Sequence, residues 1–219
     1  MAQTVRVNKD VYCSPETVNL VIVRKFKNMN YDNFVVKDAT GNIVFEVKGN
    51  LCTMHGRQVL LDAAGNPLAN SQEKICSVHN KCQVFKGDSS DPKDLLFTVK
   101  RYSILTFDKE VEVFLPNNRA EESCDFKVKW GKDSCIFTAG EFTQIAKMHR
   151  KHNCASHFLG KHKFMLKVQP NIDYAFIVAL VVFLDDIHSG GQRSKGELVD
   201  ISTASTVASN GIEAAASFD

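Results

Sequence analysis

No apolar stretch in the chain is long enough to cross a bilayer as a helix. The longest uncharged apolar run, Tyr174 to Leu184, has 11 residues between Asp173 and the pair Asp185-Asp186, whereas a spanning helix needs about 17–25. The chain is therefore not expected to be transmembrane. It also lacks an excess of one charge. Its 27 Lys and Arg stand against 25 Asp and Glu, a formal +2, so no global field demands a polyanionic partner. Arg6, Lys9 and Asp10 fall where the apolar core of a secretory leader would be, so no signal peptide is expected. With Ala at position 2 and Ala-Ser-Phe-Asp at the end, neither myristoylation nor prenylation is expected. Catalytic signatures are missing too. Gly190-Gly191 opens a polar tail and not a helix, and Gly-x-Ser-x-Gly, His-Glu-x-x-His and Asp-x-Asp-x-Asp-Gly do not occur. These absences point to a protein that is not an enzyme and carries no cofactor, no metal and no catalytic residue. The seven cysteines, at 13, 52, 76, 82, 124, 135 and 154, are odd in number and irregular in spacing. Free thiols in a reducing compartment fit them better than a disulfide framework.

The apolar run itself is the strongest positive signal. It shows no alternation and would be long for a strand, while Ile177, Val178, Val181 and Val182 favour strands locally. Length decides for a helix over 173–187, with Asp173 as its amino-terminal cap. A helix apolar on every side must be buried on every side.

Most of the remaining chain has a period of two. Phe34 and Val36 share a face; Ile43, Phe45 and Val47 share the next. Phe126, Val128 and Trp130 alternate with Lys127 and Lys129. Two Asp-x-x-Gly-Asn turns, Asp38 to Asn42 and Asp62 to Asn66, stand 24 residues apart and predict consecutive hairpins with glycine supplying positive φ. Short strands with turns between them indicate a barrel or sandwich. A sheet closed around the late helix buries both apolar sets and removes strand edges. The predicted fold is mainly β: a closed antiparallel barrel of about twelve strands around a buried carboxyl-terminal hydrophobic α-helix. Residues 1–17 read as an amino-terminal arm, 18–188 as the barrel with its helix, and 189–219 as a flexible acidic tail rich in Ser, Ala and Gly.

The segments Val21-Ile22-Val23-Arg24-Lys25, Asp94 to Arg101, Met148-His149-Arg150-Lys151-His152, Phe158-Leu159-Gly160-Lys161 and Pro170 to Ile177 resemble the plant LURP-one-related (LOR) family, a domain of unknown function. The likeness runs in register from about Val11 to Ile187. The resemblance implies a tubby-like fold, similar to tubby carboxyl-terminal domains and phospholipid scramblases, and an association with plant defence. Tubby domains bind phosphoinositides; their contact residues form no recognisable motif here. The Pro-rich amino terminus and cysteine cluster of scramblases are absent as well. Fold likeness alone transfers no function.

One stretch departs from the neutral average. Thr143 to Lys167 carries Lys147, Arg150, Lys151, Lys161, Lys163 and Lys167, four histidines and no acid. If exposed, it is a positive surface for anionic phosphate, and each basic residue near an anionic membrane contributes about 1 kcal/mol. Lys147, His149, Arg150, Lys151, His152, Lys161 and Lys163 are the candidate residues for binding anionic lipid or a partner. The plainer reading is a solvated face balanced by acids elsewhere, such as Glu121, Glu122 and Asp125. Aromatics are sparse in this stretch, and no nucleic acid is expected.

Cys76-x-x-His79-x-x-Cys82, with Cys52-x-x-His55 nearby, invites a zinc reading. Buried thiols acting as small hydrophobes beside a turn histidine are the preferred account. Cys154 among His149, His152 and His157 lacks an acid to orient a catalytic pair. The function expected is a binding module tethered to an anionic phospholipid or phosphoinositide surface, with protein partners left open. The location expected is the cytoplasm, with a peripheral membrane or nuclear pool as alternatives. The rival function is a scramblase-like protein or carrier that handles an apolar lipid chain.

Overall fold

The computed structural model describes residues 10–25, 33–49, 57–73, 81–100, 110–118, 123–131, 134–150 and 163–184. A short 3-10 turn, Asp10–Tyr12, precedes twelve strands: β1 (Val18–Lys25), β2 (Asn33–Lys37), β3 (Ile43–Gly49), β4 (Gln58–Asp62), β5 (Pro67–Glu73), β6 (Lys81–Lys86), β7 (Leu95–Lys100), β8 (Glu110–Phe114), β9 (Phe126–Trp130), β10 (Ser134–Ala139), β11 (Thr143–Arg150) and β12 (Lys163–Val168). Each strand pairs antiparallel with its neighbours in sequence, and β1 pairs antiparallel with β12, which closes the barrel. Closure satisfies the backbone of both terminal strands and leaves no open edge.

The chain divides into two compact units, Met1–Leu180 and Val181–Asp219. Helix α1, residues 174–184, begins in the first. Of the second, only 181–184 are described; they are helical and buried. A barrel of about eight strands is just narrow enough for its own side chains to fill. Twelve strands enclose more space, and residues 174–180 of α1 occupy it: Phe176, Ile177, Val178 and Leu180 are all buried. The Phe176 ring lies 5.2 Å from Phe97 on β7 and 5.0 Å from Phe126 on β9. The inward positions of the strands complete the core with Leu20, Ile22, Phe45, Leu60, Val84, Val99, Val113, Val128, Phe137 and Leu166.

The helix entry is built by the residues immediately before it. Asp173, fully buried, accepts from the Ala175 and Phe176 N–H groups at 3.0 and 3.1 Å, which satisfies two donors of the first turn. Asn171 takes the left-handed conformation at φ 61°, which Asn tolerates better than most residues. Its N–H donates to the Ser14 carbonyl at 2.6 Å, and Cys13 bridges to Asp173. Tyr12 packs 5.4 Å from Phe45 and 5.5 Å from Tyr174. The arm thus supplies an aromatic contact at the point where α1 begins.

Both Asp-x-x-Gly-Asn segments are hairpin tips, between β2 and β3 and between β4 and β5. In the first, Asp38 Oδ1 accepts from Thr40 N and Asn42 N, each at 2.9 Å, and from Thr40 Oγ1 at 2.7 Å. In the second, Asp62 Oδ1 accepts from Ala64 N at 2.9 Å and Asn66 N at 2.8 Å. Gly41 and Gly65 carry φ values of 95° and 86°. One residue predicted to point inward does not. Ile43, expected beside Phe45 and Val47, is 43% exposed, because it sits at the strand end, where the β2–β3 register shifts between Val36 and Lys37.

Candidate functional site

The two ends of the basic stretch form two neighbouring strands, β11 and β12. Alternation sends Ala146, Leu166 and Val168 inward, where they are buried, and Lys147, His149, Lys163 and Lys167 outward, where they are exposed. Lys147 stands directly opposite Lys167 in the ladder. Opposed residues of an antiparallel pair hold their Cβ atoms about 4.5–5.5 Å apart, and like charges there are destabilising. His149 stands opposite Met165, and Met165 opposite Val21 of β1. Asn19 faces Lys167, Val23 faces Lys163, and Lys37 of β2 faces Val21. Barrel closure thus sets a small half-buried patch, Met165, Val21 and Val23, beside four exposed basic side chains.

Across the barrel wall the charges are handled differently. Lys127 lies 3.4 Å from Glu110 and 3.9 Å from Glu112, and Lys129 lies 3.5 Å from Glu110. The Lys127 ammonium is pushed up, first by the neighbouring Cys124 and then by Glu110. Strands β8 and β9 therefore neutralise each other. β11 and β12 contain no acid at all, and among the described residues Lys147, Lys163 and Lys167 form no ion pair. Among the described residues this charged face has no built-in counterion.

Of the seven predicted residues, three, Lys147, His149 and Lys163, lie on this face. Arg150 is in β11, with only its backbone described, while Lys151, His152 and Lys161 lie outside the described residues. Lys167, part of the basic stretch but not of the predicted set, is the residue that pairs with Lys147. The signal for it was available: it lies four residues from Lys163, on the same face of one strand. Asn19, Val21 and Lys37 had no such signal, since only closure brings β1 and β2 alongside.

The other chemical readings lead elsewhere. Cys52, His55, Cys76, His79, Cys154 and His157 lie outside the described residues. Cys82 is buried on β6, and Cys124 and Cys135 are free thiols. No group of three His, Cys, Asp or Glu among the described residues is arranged to hold a metal.

The sequence model described as LURP-one-related matches residues 18–185. The chain belongs to the LURP-one-related family. It is 47% identical over 180 residues to Protein LURP-one-related 15 of Arabidopsis thaliana, covering 81% of this chain and 83% of that one. It is 43% identical over 187 residues to Protein LURP1 of the same plant, covering 84% and 90%. An X-ray structure of an Arabidopsis thaliana protein superposes with a TM-score of 0.66 at 40% identity, covering 84% of this chain and 98% of that one. The family match begins at the first residue of β1 and runs to residue 185, one past the last described residue of α1. Both basic strands of this LURP-one-related chain therefore belong to the family's domain.

Proposed function

We propose that this LURP-one-related chain is a non-catalytic binding module that docks on the phosphates of an anionic membrane, phosphoinositides included, in plant defence signalling. The observation that carries the reading is the Lys147–Lys167 pair, directly opposed on two acid-free strands. Such a pair costs folding energy, and an anion between the two ammonium groups removes the cost. Lys163 and His149 extend the charge along the same face. No helix among the described residues is long and apolar enough to cross a membrane, so docking at the surface is the form of contact argued for. The defence setting comes from resemblance to the family, not from the geometry. The carrier reading draws no support from the barrel interior, where Phe176, Ile177 and Leu180 take the space a lipid chain would need.

Flotation with phosphatidylcholine vesicles, with and without phosphatidylserine and phosphatidylinositol bisphosphate, tests the reading. Unaltered protein should float with the anionic vesicles only, and progressively less as salt rises. Lys147→Glu with Lys167→Glu should abolish flotation. Lys147→Glu alone should weaken flotation about 5- to 30-fold, for charge reversal at about 1 kcal/mol per unit. The same single change should raise folding stability by about 0.2–1 kcal/mol, because it turns a like-charge pair into an opposite one. Unchanged flotation of the double variant defeats the proposal.

A further inference from the structure

Phe142 is the most exposed large apolar side chain among the described residues, at 89%; Val11 at 70% and Ile43 at 43% follow. It occupies the tip of the β10–β11 hairpin, in the turn over 140–142. The turn does not need it. Gly140, at φ 58°, provides the left-handed step, and its N–H is anchored to the Asp125 carbonyl at 3.1 Å. A single exposed apolar residue is ordinary on a protein surface. This one, however, leads directly into β11, whose outward positions are Lys147 and His149. Across 134–150 the only acid is Glu141. Of the other acid-bearing turns, those at Asp62 and at Asp88 to Asp94 join β4 to β5 and β6 to β7, across the barrel from β11 in the strand order, and the one at Asp38 joins β2 to β3; nearer by, Asp125 precedes β9, and its carboxylate accepts from Leu115 N and Asn118 Nδ2.

We infer that the β10–β11 hairpin is a bilayer wedge: Phe142 enters the interfacial layer of an anionic membrane while Lys147 and Lys167 hold the phosphates. The inference rests on the docking reading above and adds to it that an apolar side chain enters the bilayer beside the bound phosphates. The dimensions agree. Five residues of extended chain put Lys147 about 17 Å from Phe142. A strand inclined about 30° to the bilayer plane therefore carries the ring about 8 Å deeper than Lys147, close to the depth of the headgroup layer. Aromatic side chains settle at that boundary, and basic ones favour the phosphates above it.

The test uses the full chain and vesicles of phosphatidylcholine with phosphatidylserine and phosphatidylinositol bisphosphate. Phe142→Ala should weaken vesicle partitioning about 10-fold or more, the loss expected from one buried aromatic ring, whereas Phe142→Leu should keep most of it. Neither change should shift the melting temperature, since the ring touches little of the protein, and binding of soluble inositol trisphosphate should be the same in both variants. Phe142→Trp, compared with the protein whose only tryptophan is Trp130, should show a blue-shifted emission on anionic vesicles and quenching by brominated acyl chains. Vesicle binding unaffected by Phe142→Ala, without a blue shift, overturns the wedge and leaves the basic-face reading standing. Absence of binding by the unaltered protein overturns both.

Discussion

Cys135 shows how position alone sets the chemistry of a single side chain. It points inward from β10 and is buried, and burial pushes its thiol up to about 12. An ordinary thiol ionises near about 8.5. Below that value both the folded and unfolded states hold the proton, and Cys135 adds no pH dependence. Between about pH 8.5 and about pH 12 the unfolded chain releases a proton the folded chain keeps, so stability falls as pH rises. Urea unfolding across this range should show a shallower decline for Cys135→Ala than for the unaltered protein. Iodoacetamide at neutral pH, read by peptide mass spectrometry, should leave Cys135 and the equally buried Cys82 unmodified until urea is added. Native-state labelling of Cys135 at the rate of a free thiol contradicts this account. None of this was legible in the cysteine positions: spacing suggested free thiols, but only the inward alternation of closed strands separates inert from accessible ones.

At the scale of elements, what repeats in the sequence was the most legible. The two Asp-x-x-Gly-Asn turns could be read directly because their chemistry is local: one carboxylate organises the next four residues, and glycine takes the positive φ. The hydroxyl of Thr40 first, and then the Asn42 and Thr40 N–H groups, hold the Asp38 carboxyl below the usual range. A lowered carboxyl contributes stability above its unfolded value of about 4, and that contribution disappears as pH falls through the folded value. Asp38→Asn should therefore flatten the acid limb of a plot of urea midpoint against pH, with the two proteins converging at the lowest pH. Acid limbs that stay parallel count against the turn's role. Elements that depend on distant neighbours were less legible. The polar arm gave no sign that Tyr12 would meet Phe45 and Tyr174. Ile43 followed the inward pattern yet lies outward, because Val44 stands as an extra residue in β3 against β2, and that pairing is invisible in one strand's alternation. The Lys147–Lys167 pair belongs to the same class: each lysine was legible as exposed, but their direct opposition is a fact of register.

For the molecule as a whole, the barrel and the helix each solve the other's difficulty. Twelve strands leave an interior too wide for their own side chains, and an all-apolar helix has no other place out of water. Phe176, wedged between Phe97 and Phe126, is where this dependence is tested most directly. Phe176→Ala should cost about 3–5 kcal/mol in urea unfolding, and a cost below about 1 kcal/mol would mean that the interior collapses around the gap. The family domain, the antiparallel strands, the two aspartate turns and the burial of the late helix were all determined by the sequence, because alternation, turn chemistry and an uninterrupted apolar run are local properties. The tertiary structure alone decided which strand lies beside which, and so which lysines face each other, which thiols are sealed in and where Phe142 points. Those outcomes depend on pairing register and on ring closure, the second of which joins residues more than a hundred positions apart, and neither leaves a mark on one segment by itself.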